Sequence, residues 1–203
     1  MSATTFAKYA KSSPPAPIGM HGLTCHVAGM YWMFRELGKT ANAAMTRIEQ
    51  IGQTTCPACT GGGAVHLSIT HEWYGANMCM GYTAIAGRFD CTWTAEVGDV
   101  ILIGGTHPVS TDASGAPLLI PAHTMIVVGK AAGVLKIRGY NNTGTLGTGG
   151  HLQYDNADRD INSGPFWHTQ GGITRFGQSF AAGGSVYRVS YAQYYANARA
   201  VAG

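Results

Sequence analysis

Charge is scarce in this chain of 203 residues, because Asp, Glu, Lys and Arg together make up only 11% of it. An average globular protein has about twice that share. The 13 Lys and Arg residues form no basic run, so the sequence lacks the electrostatic footprint of a nucleic-acid-binding protein. No stretch has 18 consecutive apolar residues, which predicts that no helix spans a membrane. Disorder is not indicated, since disordered chains combine high charge with few aromatic residues.

Several motifs are also absent. The N-terminal segment MSATTFAKYAKSSPPAPIG has no apolar run of signal-peptide length, so we expect a protein that is cytoplasmic or exported without a cleaved signal. The glycine-rich stretches lack the Gly-Lys-Ser/Thr of a phosphate loop. His71 and Glu72 are not followed by a second histidine at metalloprotease spacing. We therefore predict no cofactor and no catalytic metal.

The pattern of apolar residues places helices first and strands later. Thr24 is suited to cap a helix that ends at Gly38, and residues 39–52 carry a second helical pattern. The segments VGDVILIG and HTMIVVGKAAGVLKIRGYNN predict a strand and a hairpin, and the last twenty residues predict a strand followed by a helix. This order indicates an α+β fold with N-terminal helices packed on an antiparallel sheet.

The remaining segments set the predicted domain limits. The proline-rich SSPPAP indicates that residues 1–19 form an extended arm. Residues 20–203 then form a single domain with a cysteine-containing insert near 52–95. Residues 106–122 are expected to be a long loop.

Cys25 is the first candidate for chemistry, because it stands at the predicted start of a helix. The free N–H groups and the dipole of a helix N-terminus favour a thiolate, and a thiolate is a nucleophile. The base should come from elsewhere in the chain, since Cys25 and the adjacent His26 are not expected to face each other on a helix. The competing interpretation is a small, packed cysteine.

His123 is the best-placed base, because it opens the first strand of the predicted hairpin. A third, orienting residue should come from the neighbouring strand. Asn141 and Asn142 follow that strand, and strand alternation places Asn141 on the inner side with Leu135 and Ile137.

This order of Cys at a helix start, GDVILIG, HTMIVVG and a polar residue after the next strand resembles the papain-like cysteine hydrolases of the NlpC and CHAP type. Those bacterial enzymes cut peptide or amide bonds in peptidoglycan. The layout is also similar to the amidase effectors that bacteria inject into rivals through type VI secretion. The resemblance covers roughly residues 24–142. It implies that Cys25 is the nucleophile, His123 the base and Asn141 (or Asn142) the orienting residue, while Asp99 is structural.

The resemblance implies an antibacterial hydrolase with peptidoglycan or a peptide as its substrate, and an immunity protein as a partner if the chain is an effector. One alternative is a cysteine protease or deamidase toxin that acts on a protein. Another is a non-enzymatic binding module in which zinc or disulfides join Cys56, Cys59, Cys79 and Cys91.

Overall fold

A computed structural model describes residues 2–12, 24–55, 69–85, 94–132, 134–139, 157–161, 167–170, 173–176 and 185–203. The described part is a mixed α+β structure. Its helices are α1 (Ala3–Ala10), α2 (Cys25–Glu36), α3 (Ala41–Thr55), α4 (His71–Met78) and α5 (Tyr191–Ala202). Its strands are β1 (Thr83–Ile85), β2 (Val100–Thr111), β3 (Pro117–Ala131), β4 (Val134–Gly139), β5 (Arg159–Asp160), β6 (Trp167–Gln170), β7 (Ile173–Phe176) and β8 (Ser185–Val189). No helix within these ranges is long and apolar enough to cross a membrane.

The N-terminal segment differs from the extended arm predicted over residues 1–19. Ser2 caps α1 by accepting a hydrogen bond from the Thr5 N–H, at 3.2 Å. Phe6, Ala7 and Ala10 follow at helical spacing and are buried in the main core. The prediction of an arm is therefore wrong for the residues of α1, and residues 13–19 lie outside the described ranges.

The two predicted helices after Thr24 are confirmed as α2 and α3. The Thr24 hydroxyl accepts a hydrogen bond from the Val27 N–H at 3.2 Å, which satisfies one of the free donors of the first turn of α2. Gly38 follows the helix with a φ of 89°, a left-handed conformation that favours glycine. Nearly every residue of α2 is buried, so this helix lies at the centre of the helical layer.

The sheet has six strands in the order β1-β8-β2-β3-β4-β5, and every neighbouring pair is antiparallel. The predicted strand in VGDVILIG, the β3–β4 hairpin and the final strand with its helix are all confirmed. Strands β6 and β7 pair only with each other among the described strands.

The long loop predicted over residues 106–122 is instead mostly strand. Strands β2 and β3 continue through it, and only residues 112–116 turn. Asp112 organises this turn, because its Oδ1 accepts hydrogen bonds from the backbone N–H groups of Ser114 and Ala116. The prediction of a loop is therefore wrong for twelve of these seventeen residues, which belong to β2 and β3.

The sheet buries apolar side chains on both faces. Val100, Leu102 and Ile126 face the helices and belong to the main core. Their strand neighbours face the opposite side and form a second cluster: Ala95, Ile101, Ile103, Met125, Val127, Leu135, Ile137, Ile161 and Val186. Alternation along the strands accounts for this division.

Asp99 fastens the start of β2 to the C-terminal part of the chain. The residue is 3% exposed, and its carboxylate accepts hydrogen bonds from Arg188 Nε at 2.6 Å and from the Tyr191 N–H at 2.9 Å. It also accepts from the Glu96 N–H at 2.9 Å. Because these donors lie before β2, on β8 and at the start of α5, Asp99 joins three segments of the fold.

Candidate functional site

Cys25 is the first residue of α2 and is 8% exposed. The helix starts here because Thr24 caps it, so the thiol lies beside backbone N–H groups that have no partner within the helix. Helix α2 packs against β3, where the Thr124 N–H faces the sulfur. The first turn of the helix and the middle of β3 therefore enclose the thiol together.

The imidazole nearest to Cys25 belongs to its sequence neighbour. His26 Nδ1 lies 3.7 Å from Cys25 Sγ. The expectation that these two side chains cannot face each other is wrong, because it applies to residues inside a helix. Cys25 begins the helix and its side chain is not yet fixed by a preceding turn.

Burial determines the protonation state of the Cys25 thiol. Removal from water raises its pKa to about 11, although the backbone N–H groups of Thr124, His26 and Cys25 itself act in the opposite direction. Cys25 is therefore a neutral thiol at neutral pH. It is not a preformed thiolate.

His26 is buried, at 2% exposure, between three elements. Its Nδ1 lies 2.7 Å from Thr124 Oγ1 of β3, and its ring stacks on Tyr74 of α4 with centroids 4.3 Å apart. Burial, with a smaller contribution from the nearby His71 and His123, lowers its pKa to about 3, although the Pro121 carbonyl acts in the opposite direction. His26 is thus neutral at pH 7 and able to accept a proton.

Helix α4 brings two further side chains to the site. Thr70 caps the helix by accepting a hydrogen bond from the Trp73 N–H at 3.1 Å, which sets the position of the first turn. His71 in that turn is exposed, and its Nδ1 lies 3.0 Å from His26 Nε2. One turn later, the Tyr74 hydroxyl lies 2.7 Å from the Tyr194 hydroxyl of α5.

A break in the register of the β2–β3 ladder lies directly beneath these histidines. Ile103 pairs with His123 and Gly104 with Pro121, so Ala122 has no partner across the ladder. The Pro121 carbonyl oxygen at this point lies 3.0 Å from His26 Nε2 and 2.6 Å from His71 Nδ1.

His123 is buried in β3, at 2% exposure, next to Thr124. It pairs with Ile103, and directly paired residues of an antiparallel ladder point to the same side of the sheet. Ile103 belongs to the second cluster, so the register assigns His123 to the face opposite Cys25. His123 still lies near enough to His26 to influence its pKa. Its assignment as the base remains a prediction.

Asn141 and Asn142 lie outside the described residues, as do Cys56, Cys59 and Cys91. The structure therefore brings Cys25 against Thr124 and His26 and provides no position for the predicted third residue.

Cys79 is described and differs from Cys25 in its surroundings. It is a free, fully buried thiol in the main core, and burial raises its pKa well above the ordinary value. Within the described ranges, no three His, Cys, Asp or Glu side chains are arranged to hold a metal ion.

The sequence interpretation considered His26 as a residue that could modulate the Cys25 thiol but not as its base, and it gave His71, Tyr74, Thr124 and Pro121 no role beside Cys25. The adjacency of His26 to Cys25 was the one available signal, and the helical rule for neighbouring residues discounted it. No family model, curated protein or solved structure matches the chain. Functional assignment thus depends on the chemistry of the site.

Proposed function

We propose that this protein is a papain-like cysteine hydrolase that cleaves an amide bond of a peptidoglycan peptide, with Cys25 as its nucleophile. The observation that carries the proposal is the position of Cys25 Sγ, 3.7 Å from a histidine nitrogen at the first turn of a helix. A nucleophilic cysteine needs a nearby base and donors for the developing oxyanion, and a helix N-terminus supplies such donors. The arrangement of α2 against an antiparallel sheet is consistent with a papain-like fold.

The reaction is acyl transfer in two steps. A neutral imidazole takes the thiol proton while the sulfur attacks the substrate carbonyl carbon, and the carbonyl π electrons move to oxygen. The tetrahedral intermediate expels the amine, which receives the proton from the imidazolium, and leaves a thioester on Cys25. Water then loses a proton to the same imidazole, attacks the thioester and releases the carboxylic acid and the thiol.

The backbone N–H groups of Cys25 and His26 at the start of α2 are our candidates for the oxyanion donors. These groups already face the sulfur closely enough to act on its pKa. They are fixed by the capped helix, so they need no rearrangement when negative charge develops.

Digestion of purified peptidoglycan tests the proposal, with mass spectrometry used to detect the new amine and carboxyl ends. We expect Cys25→Ala to lower the rate at least about 1,000-fold, because the nucleophile is lost, while the circular dichroism spectrum remains unchanged. Cys79→Ala is the matched control, since it removes another buried free thiol, one that has no part in the proposed reaction. This control should retain activity.

Retention of full activity by Cys25→Ala would refute the proposal. In a second possible outcome, the wild-type protein leaves peptidoglycan intact but forms a thioester at Cys25 with a peptide substrate. That outcome would remove peptidoglycan as the substrate and keep the cysteine chemistry.

A further inference from the structure

The Pro121 carbonyl fixes the protonation of two imidazoles at once. Its oxygen lies 3.0 Å from His26 Nε2 and 2.6 Å from His71 Nδ1. A carbonyl oxygen can only accept hydrogen bonds, so we assign a proton to each of these two nitrogens, and the 3.0 Å between His26 Nε2 and His71 Nδ1 is then a contact of two donors that share one acceptor. Both nitrogens are therefore donors, and the two lone pairs of the oxygen are used.

This assignment leaves His26 Nδ1 without a proton. A neutral imidazole carries one N–H, and in His26 that proton is at Nε2. Nδ1 is then an acceptor, and it faces the Thr124 hydroxyl at 2.7 Å and Cys25 Sγ at 3.7 Å. The single lone pair of Nδ1 accepts from the Thr124 hydroxyl in this state, and it becomes available to the thiol proton when that hydroxyl rotates its hydrogen away.

We infer that His26 is the general base for Cys25 and that the Pro121 backbone carbonyl is its orienting group. The inference rests on the proposed function, in which Cys25 is the nucleophile. The carbonyl does what an asparagine or aspartate side chain does in other catalytic triads, which is to hold one tautomer and accept the N–H of the imidazolium. The register break at Ala122 lies beside this carbonyl, and such breaks in a ladder are common next to active sites.

The proton balance uses both nitrogens of His26. Nδ1 takes the proton from Cys25 Sγ, while Nε2 keeps its proton and its bond to Pro121. Nδ1 then gives its proton to the leaving nitrogen and returns to the acceptor form. The ionisable groups that contact His26 are Cys25 of α2 and His71 and Tyr74 of α4, and His123 of β3 acts on it electrostatically from the other face of the sheet. His71 is a positioning residue, because it contacts the His26 ring and the Pro121 carbonyl that orients this ring.

Alkylation of Cys25 by iodoacetamide between pH 5 and pH 9, followed peptide by peptide with mass spectrometry, tests this inference without a substrate. If His26 accepts the thiol proton during the reaction, the wild-type rate is level across neutral pH. In His26→Gln the reaction depends on free thiolate, so its rate should rise tenfold for each pH unit. General-base assistance predicts that this variant is about 100-fold slower or more at pH 7.

His107→Gln, in the turn end of the β2–β3 hairpin, is the matched control and should keep the wild-type profile. His123→Gln tests the competing base. The assignment of His26 would be refuted if the alkylation rate of His26→Gln stayed level across neutral pH, or if His123→Gln rather than His26→Gln lost the level pH profile.

Nuclear magnetic resonance of the wild-type protein keeps the inference testable if His26→Gln does not fold. The ¹⁵N shifts should show a protonated Nε2 and a bare Nδ1 for His26, and a protonated Nδ1 for His71. The opposite tautomer of His26 would refute the inference. Failure of this inference can be distinguished from failure of the proposed function. Peptidoglycan digestion that needs Cys25 but not His26 would refute only the assignment of His26 as the base, whereas digestion that does not need Cys25 would refute the proposed hydrolase function.

Discussion

Helix α4 approaches the backbone of β3 closely at Gly75, and replacement of this residue by alanine tests the placement of the whole site. An ideal Cβ at Gly75 would lie 1.7 Å from the Leu119 carbonyl oxygen, whereas real Cβ atoms stay at least 3.0 Å from such neighbours. The two backbones would therefore have to separate by about 1.3 Å. Helix α4 carries His71 and Tyr74, so the same shift would disturb the contacts of His26.

We expect Gly75→Ala to lower the free energy of unfolding by about 3 kcal/mol or more, because two backbone segments cannot repack as a flexible side chain does. Without the close approach, the same change inside a helix would raise stability by about 1 kcal/mol. The assay is urea unfolding followed by circular dichroism. Ala76→Gly in the same helix is the control, and it should cost only about 1 kcal/mol. A Gly75→Ala protein that is as stable as the wild type would refute the close packing of α4 on β3.

Two further predictions concern the surroundings of His26. Its pKa falls from 6.5 to about 3 in the fold, so the unfolded chain binds the extra proton first on acidification and stability should fall between those pH values. The free energy of unfolding, measured by urea titration, should fall by about 3 kcal/mol from pH 7 to pH 4, and His26→Gln should lack this loss. A wild-type stability that does not change over this pH range would contradict a buried neutral imidazole. Thr124→Val should lower the free energy of unfolding, measured by thermal unfolding, by about 1–2 kcal/mol, because His26 Nδ1 loses its donor at 2.7 Å. Equal losses of stability in Thr124→Ser and Thr124→Val would indicate that packing of the Thr124 methyl group is responsible instead.

The elements with strong local signals could be predicted from the sequence. Thr24 and Gly38 delimit α2, and the apolar spacing in α3 and the β3–β4 hairpin needs no tertiary information. Helix α1 was missed because it has only eight residues and precedes a proline-rich segment. The β2–β3 extension was missed because turn-forming residues occur throughout a segment whose strand pairing is decided by its partner.

The site depends on information that alternation alone does not carry. Leu135 and Ile137 are buried as predicted, but they face the second cluster and not the helices. A strand buried on both faces gives no sign of which face meets a given helix. The choice between Thr124 and His123 as the residue facing Cys25 is decided by the register with β2, which is a long-range property.

A neutral thiol beside a neutral imidazole is energetically compatible with the proposed chemistry. The pKa values of Cys25 and His26 are about 11 and about 3, and this difference of about 8 corresponds to about 11 kcal/mol for moving the proton between the separated groups. Attraction between the resulting charges at 3.7 Å returns about 4 kcal/mol at an effective dielectric constant of about 20. Proton transfer therefore costs about 7 kcal/mol, whereas a turnover of about 10 per second has a barrier of about 16 kcal/mol. Because the cost fits within that barrier, a buried Cys25 with a raised pKa can still be the nucleophile, provided that its proton passes directly to the adjacent base.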